Sequence, residues 1–291
     1  MGRSIAFTPW KCHVSRRYRL SLLALLVVGG YVIALAIVGA LALISGDLSA
    51  MLRLTLVPEL DEGLAVTGRG VLIVGLVGAM WAWALWQGLR GPLVGPPYAM
   101  DRDTTRLRIA LYVAAASWLV YPLVTSWSWW MSLLDAAVML AVVWLYHPVL
   151  TRGLKYGDHM RSFGIVAYGS VAVSEVLDLL GMPVGDFLIT IGGLAGLLWT
   201  MLLLRAQRND RRWQTSTVVY GIAALVLMLT SSLLDRLLEG VGNVPGTVTA
   251  LAGALSLIWL TRSAHDLADP RHAAVTADRS NGSGLRMMGD T

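Results

Sequence analysis

Charge is what this sequence has least of. Only 14% of its 291 residues are Asp, Glu, Lys or Arg, while 56% are hydrophobic and the mean hydropathy is +0.64. A domain that folds in water carries charge on roughly 25% of its residues. The shortage is resolved if lipid is the solvent around most of the chain. Lysine is nearly missing. Lys11 and Lys155 are the only two, and every other basic side chain is arginine. With abundant Ala, Gly, Leu and Val, that skew fits a high-GC bacterial source. No apolar stretch contains a lysine, which excludes a retinal Schiff base. The single cysteine, Cys12, excludes an internal disulfide. It precedes the first apolar run and reads as an inert cytoplasmic thiol.

Missing motifs exclude more. There is no Gly-x-x-x-x-Gly-Lys phosphate loop, no His-Glu-x-x-His, no Cys/His cluster and no Gly-x-Ser-x-Gly elbow. The polar connections are short and hold no paired acidic motif for Mg²⁺ and diphosphate. No catalytic residue, cofactor or metal centre is therefore expected. The basic residues sit in small clusters between apolar runs, so nucleic acid is not the expected partner. The bilayer is, with protein partners at the basic face as a further expectation.

What is present is apolar runs long enough to span. About 20 apolar residues cross a bilayer as helix. Eight stretches fit: Leu20–Ile44, Gly70–Leu89, Leu107–Val124, Met131–Leu150, Ser162–Leu180, Asp186–Leu204, Thr215–Leu234 and Gly246–Leu260. Putting the N-terminus inside leaves 20 of the 23 basic residues cytoplasmic, with only Arg53, Arg69 and Arg236 outside. The expected fold is an all-α integral membrane protein of the cell membrane. Its eight transmembrane helices form hairpins, with N- and C-termini both cytoplasmic. Residues 1–19 form a basic cytoplasmic N-terminus, 20–264 the bundle, and 265–291 a disordered cytoplasmic tail. The first run is much longer than a signal-peptide core of about 7–15 residues, which argues against cleavage at Ala40-Leu41-Ala42. Each outward-to-inward helix carries a Trp and then an Arg at its inner end: Trp86 and Arg90, Trp144 and Arg152, Trp199 and Arg205, Trp259 and Arg262. This spacing predicts interfacial belts, with Trp127, Trp129 and Trp130 at the outer face.

The last two hairpins, 162–207 and 219–264, align without gaps at an offset of 57. Ser174-x-x-Leu177-Asp178 matches Ser231-x-x-Leu234-Asp235. Leu194-Ala195-Gly196 matches Leu251-Ala252-Gly253, and Arg205 matches Arg262. A hairpin duplication is expected, with its symmetry axis along the membrane normal.

The polar residues that could carry function fall in the outer half. Glu175, about 20 Å into the fifth span, is the deepest ionisable side chain expected. Asp178 shares its helix face, and Ser170 and Ser174 extend that face inward. Asp135 lies early in the fourth span. A central carboxylate costs about 2.5 to 3.5 kcal/mol to insert and is usually kept for a role. These residues suggest an outer vestibule for a proton, a cation or a small solute. The bland alternative is a helix that ends earlier, with Glu175 and Asp178 already in external water. His147 has no evident partner within the span and reads as interfacial. Two classes of function follow: a transport or channel-like component, or a non-catalytic partner in an envelope, secretion or conjugation assembly. A lipid-acting enzyme ranks third.

Overall fold

The structure, a computed structural model, describes residues 20–57, 67–92, 100–120, 128–151, 154–182, 185–242 and 246–269. The expected N-terminal segment 1–19, the tail from 270 and Trp127 lie outside the described residues, as do the side chains of Asp235 and Arg236. The described residues are helical, with no strand among them. In chain order they form α1 (Ser21–Ser45), α2 (Ser49–Leu54), α3 (Gly68–Leu89), α4 (Arg102–Val120) and α5 (Trp129–Tyr146). A π turn (His147–Thr151) follows, then α6 (Gly157–Leu179), α7 (Gly185–Asn209), α8 (Thr215–Gly242) and α9 (Thr247–Asp266). Pro148 explains the π turn. It has no N–H to give to the carbonyl of Trp144, and the helix widens there.

Six helices are long and apolar enough to cross a membrane: α1, α3, α5 with its π turn, α6, α7 and α9. The chain is thus built as a multi-pass membrane protein. α4 opens with Arg102, Asp103, Arg106 and Arg108, which dilute its apolar character. In α8 the apolar part among the described residues is Thr215–Ser231.

The bundle is not a flat array of hairpins. α6 packs chiefly on α7, and α8 on α9, but α9 also packs against α3 and α4. Of the most apolar stretch of α9, 83% is buried, against 11% for α1. The last helix is therefore the axle of the bundle and α1 stands at its rim. This separates the two matched arginines: Arg205 is exposed on α7, whereas Arg262 is buried on α9. It also turns two of the four expected belt tryptophans inward. Trp199 packs edge-on against Tyr146 and Tyr168, and Trp259 is buried beside α7. Trp144 does face outward, with the Arg161 guanidinium 3.6 Å from its ring centre.

The connection after α1 folds back into the bundle. Met51 lies against Gly39 of α1 and Gly75 of α3, and Thr55 against Gly78, where Leu35 also packs. Leu35 is ten residues before the end of α1, and Gly78 ten after the start of α3. Both put Thr55 about 15 Å below that end of the bundle. The Tyr31 hydroxyl donates to the Leu54 carbonyl at 3.1 Å, at a similar depth. Leu48, Met51, Leu52, Thr55 and Val57 are all buried. Segment 46–57 thus re-enters the bundle against α1 and α3 with one face, while Asp47, Ala50 and Arg53 stay exposed. Its turn places Leu56 at a φ of 56°, a left-handed conformation rare for a branched side chain.

Candidate functional site

The expected acidic face forms on α6, but its members have different surroundings. Ser170 and Ser174 are buried, Glu175 is half-buried and Asp178 is exposed. The Ser170 hydroxyl donates to the Ala167 carbonyl and that of Ser174 to the Val171 carbonyl, both at 2.9 Å. Each serine is therefore satisfied by its own helix. Ser170 also sits where α7 comes closest. A Cβ on Gly192 would collide with its hydroxyl and lie 3.0 Å from the Ala167 carbonyl. The Asp178 carboxylate covers Gly185 at the start of α7. Asp135 belongs to a different contact. It is half-buried, and the Ser117 hydroxyl of α4 donates to it at 3.1 Å.

The densest buried polar network lies at the opposite end of the bundle. There Leu20 N–H donates to the Arg90 carbonyl, Arg212 donates to the Val149 carbonyl at 2.6 Å, and His147 meets Asp158 at 3.2 Å. The ends of α3, α5, α7 and α9 and the starts of α1, α6 and α8 thus gather at one face. His147, which lacked a partner in sequence, finds one in α6.

Arg262 is the centre of this network. Its Nε donates to Thr217 Oγ1 at 3.2 Å and its Nη1 to Gln87 Oε1 at 3.2 Å. Its Nη2 donates to Gln214 Oε1 at 3.2 Å and Ser216 Oγ at 2.7 Å. Every one of these acceptors is neutral. The negative charge comes from Asp266, one turn on, whose Oδ2 accepts from Thr217 Oγ1 at 2.6 Å and Gln214 N at 2.9 Å. A buried cation and a buried anion are thus held close, joined through a hydroxyl rather than by direct contact. Removing one partner of such a pair leaves the other charge stranded.

Gln207 makes a second hub. Its amide nitrogen donates to Tyr146 OH at 3.2 Å and Ser263 Oγ at 3.3 Å, and its oxygen accepts from Trp259 Nε1 at 3.0 Å. One fully buried amide so ties α5, α7 and α9. Sequence reasoning treated this end as a basic fringe and passed over Gln87, Gln207, Thr217 and Ser263. The usable signal was two glutamines, Gln87 and Gln207, closing long apolar runs. α9 also runs beyond the expected bundle edge at 264. His265, Asp266 and Asp269 are buried because α9 is enclosed to its last turn.

Two carboxylates outside the spans are held below the ordinary range. For Asp47, after α1, the Ser49 backbone N–H and then its hydroxyl stabilise the charged form. For Asp101, before α4, the Thr104 side chain does so first. Among the described residues no group of three or more His, Cys, Asp or Glu could hold a metal ion.

No protein-family model matches the chain. No curated protein and no solved structure matches it either.

Proposed function

We propose that this chain is a membrane transport component for a proton, a cation or another small solute. In this reading it crosses the cell membrane eight times, with the N-terminus, the tail and the Arg262 end in the cytoplasm. The observation that carries the reading is Asp135. It lies six residues into α5, about 9 Å from the helix start, half-buried and bonded to Ser117 of the neighbouring helix. A carboxylate at that depth is expensive and is kept where protein or water receives it. Inward of it, polar side chains recur in the core at Tyr168 and Tyr146, which flank Trp199, and at Gln207 and Ser263. Glu175 and Asp178 would supply the outer acidic mouth. Ser170 and Ser174 would line it only by exchanging their bonds to their own helix. The re-entrant segment supports the same reading, since such segments occur beside protein-lined paths.

The test is flux in proteoliposomes. Asp135→Asn should lower proton or cation flux at least tenfold while the protein still inserts and melts as a folded species. Equal flux for wild type and D135N, with protons and with mono- and divalent cations, would end the proposal. Orientation is checked separately, by an impermeant thiol reagent on intact cells in a Cys12→Ser background. Asp47→Cys should react and Lys155→Cys should not.

A second reading has its own observation. α1 is almost uncovered, and Gly29 and Gly30 on it face open space. In lipid, small residues mark surfaces where helices meet. A non-catalytic subunit that docks through α1 would co-purify with its partner after mild extraction, and Gly29→Leu would release that partner.

A further inference from the structure

One arginine at the outside of the bundle rests on a tryptophan rather than on an acid. The Cζ of Arg161, on α6, lies 3.6 Å from the ring centre of Trp144, on α5. A guanidinium that close stacks on the ring, so its N–H groups point sideways, past the indole. Sequence spacing pairs Trp144 with Arg152, which lies outside the described residues; the structure brings Arg161 to it from the next helix. Among the described residues Arg161 makes no hydrogen bond and no ion pair. The nearest acid on its own helix, Asp158, is met by His147 at 3.2 Å. Lys155 and His159 are exposed on the approach to Arg161.

The place of this pair says what its donors meet. Trp144 is 56% exposed, and the outward stripe of α5 that continues from it, through Ala141, Ala137 and Leu134, is apolar and exposed. That stripe faces acyl chains. Trp144 is two residues before the end of α5, and Arg161 four residues after the start of α6, about 6 Å along it. Both therefore sit at the level where tryptophan settles and arginine reaches for the headgroups. A stacked guanidinium has already lost much of its freedom, so its fork is set for a planar pair of acceptor oxygens at little further cost. The oxygens available at that depth, beside an apolar stripe, are those of a phosphodiester. The charge left uncompensated is positive, which favours a lipid with net negative charge.

We propose that Arg161, stacked on Trp144, binds the phosphate of an anionic phospholipid, with an acyl chain along the exposed stripe of α5. The site does not depend on the transport reading, since it uses none of Asp135, Glu175 or Asp178.

The experiment uses the full chain, purified in detergent and stripped of lipid. Phosphatidylglycerol and phosphatidylcholine are titrated separately, and bound lipid is counted by native mass spectrometry. Phosphatidylglycerol should bind more tightly than phosphatidylcholine. Arg161→Gln should weaken phosphatidylglycerol binding about tenfold, the factor expected for a charge-assisted hydrogen bond. Trp144→Ala should weaken it several-fold by removing the platform. Arg205→Gln, which removes an exposed arginine of α7, should leave it unchanged. Equal binding of the two lipids by the wild type overturns the proposal, and that measurement needs no variant to fold. Displacement of the lipid by inorganic phosphate overturns it too, because the site would then belong to the free ion. An equal loss in R161Q and R205Q also overturns it, since it would reflect bulk charge rather than a site.

Discussion

Arg262 and Asp266, one turn apart on α9, share a single hydroxyl. Thr217 Oγ1 accepts from the arginine at 3.2 Å and donates to the carboxylate at 2.6 Å. A single side-chain atom that does both at once must be a hydroxyl oxygen, and it must be fixed in place. Thr217 is fully buried near the start of α8, so the relationship also sets how α8 meets α9.

Replacing Thr217 by Val keeps the shape and removes both bonds. Thr217→Val should lower stability by about 1 to 3 kcal/mol, the cost of leaving buried charged groups short of partners. Unfolding in mixed micelles with increasing dodecyl sulfate measures it. A variant as stable as wild type would mean that the hydroxyl is incidental. Adding Arg262→Met to Thr217→Val should deepen the loss, because Asp266 then keeps neither the hydroxyl nor the nearby cation.

The closeness of α6 and α7 rests on a missing side chain. Gly192→Ala should separate the two helices, since the added methyl meets the Ser170 hydroxyl. A loss of about 1 to 3 kcal/mol is expected for such overpacking. Ser170→Ala in the same chain should return part of it, and a double-mutant cycle reads the coupling. Additive effects of the two changes would show that the helices do not meet there.

The re-entrant segment has a topological signature. In a Cys12→Ser background, a thiol at position 47 should react rapidly with an impermeant maleimide, and one at position 55 should resist it. Asp47 is exposed, whereas Thr55 is fully buried with its hydroxyl bonded to the Met51 and Leu52 carbonyls. Comparable rates at the two positions would mean that 46–57 is an ordinary external loop.

Asp101 makes a pH-dependent contribution. Its folded value is depressed, chiefly by the Thr104 side chain, below an ordinary value of 3.8. The stabilisation is therefore complete above that ordinary value. It fades as the pH falls through the lower folded value. Asp101→Asn should melt below wild type at neutral pH, and the two curves should converge in stronger acid. Parallel curves across that range would show that the Thr104 contact adds nothing.

Much of this was legible in the residues. All eight stretches read as spans fall within helices, apart from residues 121–124 of the third, which lie outside the described residues, and single residues at a few ends. Length and apolarity suffice for that, because a backbone in lipid must satisfy its own hydrogen bonds. Helical spacing predicted one face for Glu175 and Asp178 extended by Ser170 and Ser174, but not that the serines would be buried and Asp178 exposed. The re-entry of 46–57 was not legible, because six helical residues carry too little periodicity to mark an element, and what buries them comes from α1 and α3.

The sequence alone determined the solvent: a chain so poor in charge, with helices of this length, belongs in lipid. It also set the expectation that the basic residues gather at one face, since alternate connections carry them. Only the tertiary structure decided which helix would be enclosed. In lipid every span is apolar all round, so composition does not tell a rim helix such as α1 from an axle such as α9. That choice buried Arg262, His265 and Asp266 and left Arg205 outside, although a local reading aligned Arg205 with Arg262. Burial depends on which neighbours arrive, and neighbours distant in sequence leave no mark on the segment they cover.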